Sequence, residues 1–215
     1  MTVITISRQL GSEGDTIADL LCQELGYRRV DKEMLMHIAQ EAGVDVEAVL
    51  AKERGFAKRA RLVSDQMTSL YGRQPTVFEG KAALDDQTYE RVVRKTMMQF
   101  AEQGDAVIVG RGGQMVLRDW PGVLHVRLYA SSEVRVERLR QRFNISEQEA
   151  KRRIAESDEQ KRQYIRHMHN NANWQDLKHY HLVINTGQIS PKATAQIIIL
   201  AAQQIKRQMA TGTNC

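Results

Sequence analysis

The residues best suited to chemistry lie near the start of the chain, in Ser7-Arg8-Gln9-Leu10-Gly11-Ser12-Glu13-Gly14-Asp15-Thr16. An apolar, strand-like run at 3–6 precedes them and a helix-like run at 16–25 follows. Gly11 and Gly14 permit positive φ and close approach of the backbone to a ligand. At such a strand-to-helix turn the first helical amides are unpaired and the helix dipole is positive, which favours an anion. Gly11, Ser12, Glu13, Gly14, Asp15 and Thr16 are therefore candidates for holding the phosphates of ATP. The Thr16 hydroxyl is the candidate ligand for magnesium. An ordinary strand-to-helix turn also needs small residues, and the loop alone leaves that reading open.

A full Walker A loop, Gly-x-x-x-x-Gly-Lys-Ser/Thr, places a lysine against the β and γ phosphates. This chain departs from it. Aligned on Thr16, the lysine position holds Asp15; with one more residue before the hydroxyl it holds Gly14. Glu13 and Asp15 add negative charge where phosphate is expected. Arg8 and Arg111 are the candidate replacement cations, since guanidinium binds phosphate in a bidentate fashion, although each arrives from a different direction.

Elements must position these groups. Short β-branched runs at 3–6, 106–109, 124–128 and 182–184 are too short for typical helices and predict buried strands, with a weaker candidate at 27–30. Helix-like stretches at 16–25, 132–142 and 192–209 lie between them. The alternation predicts an α/β fold, a parallel sheet covered on both faces, with ligands at the carboxyl ends of the strands. Residues 44–103 interrupt it with helical periodicity and no convincing strand, which predicts a helical insertion. A second, highly charged helical region at 138–166 is expected to act as a lid, with Ser146 to Glu149 opening a helix as a capping box does.

The 215 residues suit a single domain, 1–215, with these insertions. The hydrophobic share is 42% and no apolar run reaches membrane-spanning length, so a soluble chain without a membrane partner is expected. The start lacks signal-peptide features, which points to the cytoplasm. Two cysteines, Cys22 and Cys215, support neither a disulfide framework nor a cysteine zinc site. A net charge of +5 indicates an anionic partner, nucleotide or nucleic acid, although solvated helix faces account for most basic runs. His167, His169, His179 and His181 lack the spacing of a metal site and are expected at the surface or at caps. Trp174 and Tyr180 are expected to anchor the end of the lid to the core.

Taken in order, Ile6-Ser7-Arg8, Gly11-Ser12-Glu13-Gly14, Ile17-Ala18, Leu25-Gly26-Tyr27 and Asp31-Lys32-Glu33 resemble the opening of the cytidylate-kinase-like family. The likeness continues in Val107-Ile108-Val109-Gly110-Arg111-Gly112, Leu124-His125-Val126-Arg127-Leu128, Ser131 to Arg135, Asp158 with Arg162, and Tyr180 to Thr186. Those proteins also lack the lysine that true cytidylate kinases keep. The resemblance implies a P-loop kinase-like three-layer sandwich with a five-stranded parallel sheet, a nucleoside-monophosphate-binding insertion and an arginine-bearing lid. It implies acceptor contacts from Asp31, Lys32, Arg111 and Asp158, with a helix N-cap as the plain alternative for Asp31 and a surface ion pair for Arg111. Arg135, Arg138, Arg142, Arg153 and Arg162 are the implied lid cations. Where cytidylate kinases grip ribose and phosphate, this chain has Ser157, Lys161 and Tyr164, and Arg111 has lost its flanking acids.

Two readings follow. One is an enzyme that passes the γ-phosphoryl group of ATP, with magnesium, to a nucleoside monophosphate or another small acceptor, with Arg8, Arg111, Arg138 and Arg162 neutralising transition-state charge. The other is a nucleotide-binding regulator that kept the fold and lost catalysis. A basic nucleic-acid binder rests on charge alone and is disfavoured.

Overall fold

β1 (Val3–Arg8) is buried on both faces almost to its end, as expected for a strand with sheet neighbours on each side and helices above and below. The computed structural model describes residues 2–31 and 86–211. In it β1 pairs in parallel with β3 (Ala106–Val109) and β4 (Val123–Tyr129), with Ile6 opposite Val109 and Val126. β2 (Arg28–Val30) and β5 (Leu182–Asn185) complete a five-stranded parallel sheet of order β2-β3-β1-β4-β5. The chain first builds outward from β1 to β2, returns to β3, then crosses β1 to reach β4. The carboxyl end of β1 is thus the switch point where doubly wound sheets bind ligands.

Alternation along β1 divides the interior in two. Ile4 and Ile6 join Ile17, Ala18 and Leu21 of α1 (Gly14–Leu25) and Ala195, Ile198 and Ala202 of the last helix, α6 (Pro191–Thr211). Val3 faces the opposite layer, where α2 (Asp86–Gln103) contributes Tyr89, Val93, Met97 and Phe100 at helical spacing. Residues 86–103 of the stretch read as an insertion therefore supply one covering layer of the sheet. Positions 44–85 and Lys32 lie outside the described residues.

A one-turn helix, α3 (Gly113–Val116), follows β3. The charged region forms two helices, α4 (Ser132–Phe143) and α5 (Glu147–Met168), capped by Ser131 and Ser146, whose hydroxyls accept from the amides of Val134 and Glu149. Val136, Leu139, Ala150 and Ile154 form a small core between them that also covers Leu10. The arm is thereby packed onto the loop that follows β1. Trp174 and Tyr180, beyond α5, are buried. Among the described residues no helix is long and apolar enough to cross a membrane.

Candidate functional site

The loop between β1 and α1 lines a cleft of about 630 Å³ with Arg8, Gly11, Glu13, Gly14, Asp15 and Thr16. α4 closes one side with Arg138 and Arg142, and α5 another with Ser157 and Lys161. α1 begins at Gly14 behind a left-handed Glu13, φ 56°, whose side chain caps no helical amide. The Ser12 hydroxyl donates inward to the Gln9 carbonyl at 2.8 Å and is buried, so it stiffens the loop and does not face the cleft. Thr16 stands exposed on the cleft wall.

The acids of the loop are compensated. Glu13 meets Arg138 at 2.9 Å, and Asp15 meets Arg8 at 3.5 Å and Arg29 at 3.1 Å. Arg29 also pairs with Asp19 and, at 3.1 Å, with Asp31, so Asp31 closes a chain of alternating charges that ends at Arg8. Carboxylates drawn off in this way repel an incoming phosphate far less than two bare ones.

Arg8 takes the centre of the site. A Cβ added at Gly14 would stand 2.5 Å from Arg8 Cβ, and one at Gly110 would stand 2.4 Å from Arg8 Nη1. The two glycines therefore clear the path along which the Arg8 side chain runs from the loop to the end of β3. Burial weakens the hold of the guanidinium on its proton, and nearby Arg111 and Arg29 add to this, opposed by Asp15. Arginine stays charged all the same, so a partly buried positive charge, 27% exposed, is held on the cleft wall. Arg111 sits just past β3 in the left-handed region, φ 54°, with its guanidinium 5.2 Å from the centre of the Tyr164 ring.

Arginines of the arm hold the loop from the far side. Arg135, 5% exposed, donates to the Leu10 carbonyl at 2.7 Å and to Asp158 at 2.8 Å. Arg138 donates to the carbonyls of Gly11 at 3.2 Å and Thr186 at 2.7 Å. Thr186 in turn donates to the Ser12 carbonyl at 3.0 Å, tying the loop to the end of β5.

Residues 3–188 match the description "Cytidylate kinase-like family". The chain belongs to that family. It is 26% identical to a cytidylate kinase of Pyrococcus horikoshii over 94% of this chain and 89% of the relative, and 30% identical to one of Pyrococcus abyssi over 73% and 84%. Among solved structures, an uncharacterized protein from Eubacterium ventriosum superposes with a TM-score of 0.67 at 18% identity, over 94% of this chain and 99% of that one. A shikimate kinase from Bacteroides thetaiotaomicron does so with a TM-score of 0.50 at 12% identity, over 94% and 98%. The fold is that of the P-loop kinases.

Within this cytidylate-kinase-like frame the structure brings Arg8, Arg138, Gly11 and Glu13 to Thr16 around one cleft, with Ser12 turned inward behind it and Arg111 within electrostatic reach of Arg8. Asp158 is bound to Arg135, while its Oδ1 is buried without a partner among the described residues. Arg162 is 50% exposed, paired with Glu159 one turn earlier, and does not line the cleft. Arg153 pairs likewise with Glu149 at 2.7 Å.

Two buried positions escaped the sequence reading. His125 and Arg127 lie in β4, on the face shared with Thr5 and Ser7. His125 Nδ1 is 2.7 Å from the Thr5 hydroxyl. Arg127 donates to the Trp174 carbonyl at 2.8 Å and lies over the Trp174 ring at 4.4 Å, while the Tyr180 hydroxyl reaches Ser7 at 3.1 Å. A polar layer thus supports the loop from below. The alternation Leu124-His125-Val126-Arg127-Leu128 was the available signal: in a central strand its polar face must be buried too. Of the four histidines expected at the surface or at caps, His167 and His181 are exposed and His169 caps α5, whereas His179 is buried. The turn of 3₁₀ helix at Leu177–His179 folds it inward.

Proposed function

We propose that this protein transfers the γ-phosphoryl group of ATP to a nucleoside monophosphate or a similar small acceptor. The observation that carries the proposal is the cleft itself: the amino end of α1, at the carboxyl end of the central strand, faces cations from three other elements, and the loop's own acids are neutralised. Phosphoryl transfer needs positioning and fixed positive charge more than covalent chemistry. In the step, an acceptor oxygen bonds to the γ-phosphorus while the bond to the β,γ-bridging oxygen breaks and ADP leaves. A phosphate acceptor is already ionised and needs no general base. Arg8 and the loop amides hold the donor, and Arg111 at the end of β3 holds the acceptor phosphate. Magnesium fits the hard oxygen of Thr16 on the cleft wall and, when bound with donor phosphates, neutralises part of their charge.

A second reading, a nucleotide-binding regulator without transfer, is favoured by Asp15 at the lysine position. A panel of nucleoside monophosphates, nucleosides and small alcohols incubated with ATP and magnesium separates the two. Turnover with at least one acceptor, reduced about 100-fold or more in Arg111→Ala, supports the enzyme. Binding of ATP with every acceptor left unphosphorylated supports the regulator. Saturating ATP at about 100 times its Kd should stabilise the fold by about 2.7 kcal/mol. No shift in melting temperature with ATP or GTP overturns both readings.

A further inference from the structure

The loop lacks the lysine that a Walker A motif uses on the terminal phosphates, yet the cleft contains a lysine from elsewhere. We propose that Lys161, carried on α5, supplies the missing cation and, together with Arg8, grips the terminal phosphates of the nucleoside triphosphate. The proposal rests on the nucleotide-binding reading above. It divides the donor site between the loop and the arm, and explains how the loop can hold Asp15 where a lysine is expected.

Lys161 differs from the other cations of its helix. Lys151, Arg152, Arg153 and Arg162 each pair with a glutamate on α5 itself, forming an ordinary solvated helix face. Lys161 instead lines the cleft opposite the loop, and its Nζ donates to the hydroxyl of Ser157 at 3.0 Å. Among the described residues it has no ion pair.

Its electrostatic surroundings come from four elements: Arg8 of β1 and Arg135 of α4 repel it, while Asp158 of α5 and Asp15 of α1 attract it. Both acids are already engaged, Asp158 by Arg135 at 2.8 Å and Asp15 by Arg8 and Arg29. Desolvation is the largest influence, and with Arg8 it pushes the lysine pKa down to about 8. Two half-buried cations on facing walls of one cleft, with the neighbouring acids already engaged, form a site for a multiply charged anion. The plain alternative, a lysine that only bonds Ser157 one turn back on its own helix, explains neither its place in the cleft nor its crowding against Arg8.

The test is the affinity of the full-length protein for ATP with magnesium at pH about 7 and about 9, in wild type, Lys161→Ala and Lys161→Arg. At the lower pH, Lys161→Ala should bind ATP about 10- to 100-fold more weakly, the effect of one charge-assisted contact. Lys161→Arg should recover most of that loss. Raising the pH discharges the free lysine, so wild-type affinity should fall about tenfold between the two values, whereas Lys161→Arg should show no such fall. Thermal melting of each variant without ligand reports on folding. An ATP affinity in Lys161→Ala equal to that of wild type overturns the placement of the cation and leaves the nucleotide site standing. Equal loss in the alanine and arginine variants, with unchanged melting, also overturns it. A wild-type protein that binds neither ATP nor GTP removes the underlying reading as well.

Discussion

Arg8 sets the requirements for two glycines that are more than 90 positions apart in the chain, Gly14 and Gly110. At Gly14 an added methyl meets Arg8 Cβ and Cγ, the root of the side chain, at 2.5 and 2.6 Å, and the root has no freedom to swing away. Gly14→Ala should therefore behave as an overpacked site and cost about 2 kcal/mol of stability, measured by urea unfolding. At Gly110 the methyl meets only the tip, Nη1, but the backbone has φ +83°. Gly110→Ala should cost about 1 kcal/mol through the left-handed backbone. Because the guanidinium must leave its place, it should also weaken ATP binding about tenfold. A Gly110→Ala protein that binds ATP as the wild type does would show that Arg8 need not lie over the end of β3.

The arm formed by α4 and α5 is held to the loop by a pair that a list of charges along a helix does not reveal. Arg135 is almost fully buried, and its removal leaves both the Leu10 carbonyl and Asp158 without their donor. Arg135→Met should cost about 3 kcal/mol, and Asp158→Asn about 1–2 kcal/mol because its side chain is a quarter exposed. The double variant should be less damaging than the sum by about 1 kcal/mol or more, and strict additivity in a double-mutant cycle would sink this account of the arm. The elements themselves were legible in the sequence. β1, β3 and β4 are legible because buried parallel strands are short, continuous and β-branched, and the caps of α4 and α5 because serine at a helix start has a local cause. β5 has the same β-branched run but is an edge strand in which only Ile184 is buried, not the buried strand its composition predicts. β2 was faint because it is an edge strand whose first two residues, Arg28 and Arg29, serve ion pairs and hydrogen bonds instead of the core. The burial of Arg135 was not legible, since it depends on a loop 125 positions away. For the same reason Glu13 reads as a defect: its partner Arg138 and the cleft lysine Lys161 both come from the arm.

Across the whole molecule the sheet presents two unlike faces, one apolar against α1 and α6 except for Arg8 and Arg29 at its margin, the other carrying a polar layer of Thr5, Ser7, His125 and Arg127 between its apolar residues. Such a layer is tolerated only while its members stay paired and, for histidine, uncharged. His125 is 3% exposed, and burial together with the neighbouring His181 lowers its pKa from 6.5 to about 4. His169, packed against the end of β3 at Gly112, is lowered to about 4 by burial and by Arg94. The folded state therefore resists protonation where the unfolded chain accepts it. The contribution to stability is complete above pH 6.5 and is lost as the pH falls toward 4. For His125 alone the loss between pH about 7 and about 4.5 is roughly 2 kcal/mol. His125→Gln keeps a neutral polar group opposite Thr5 and cannot take up the proton. Its unfolding free energy should therefore fall less steeply than that of the wild type across this window, by about the same 2 kcal/mol. The comparison of the two slopes isolates the histidine, because the carboxylates that titrate in the same range are common to both proteins. Parallel curves would mean that His125 is already solvated in the fold and that the polar face of the sheet is open to water.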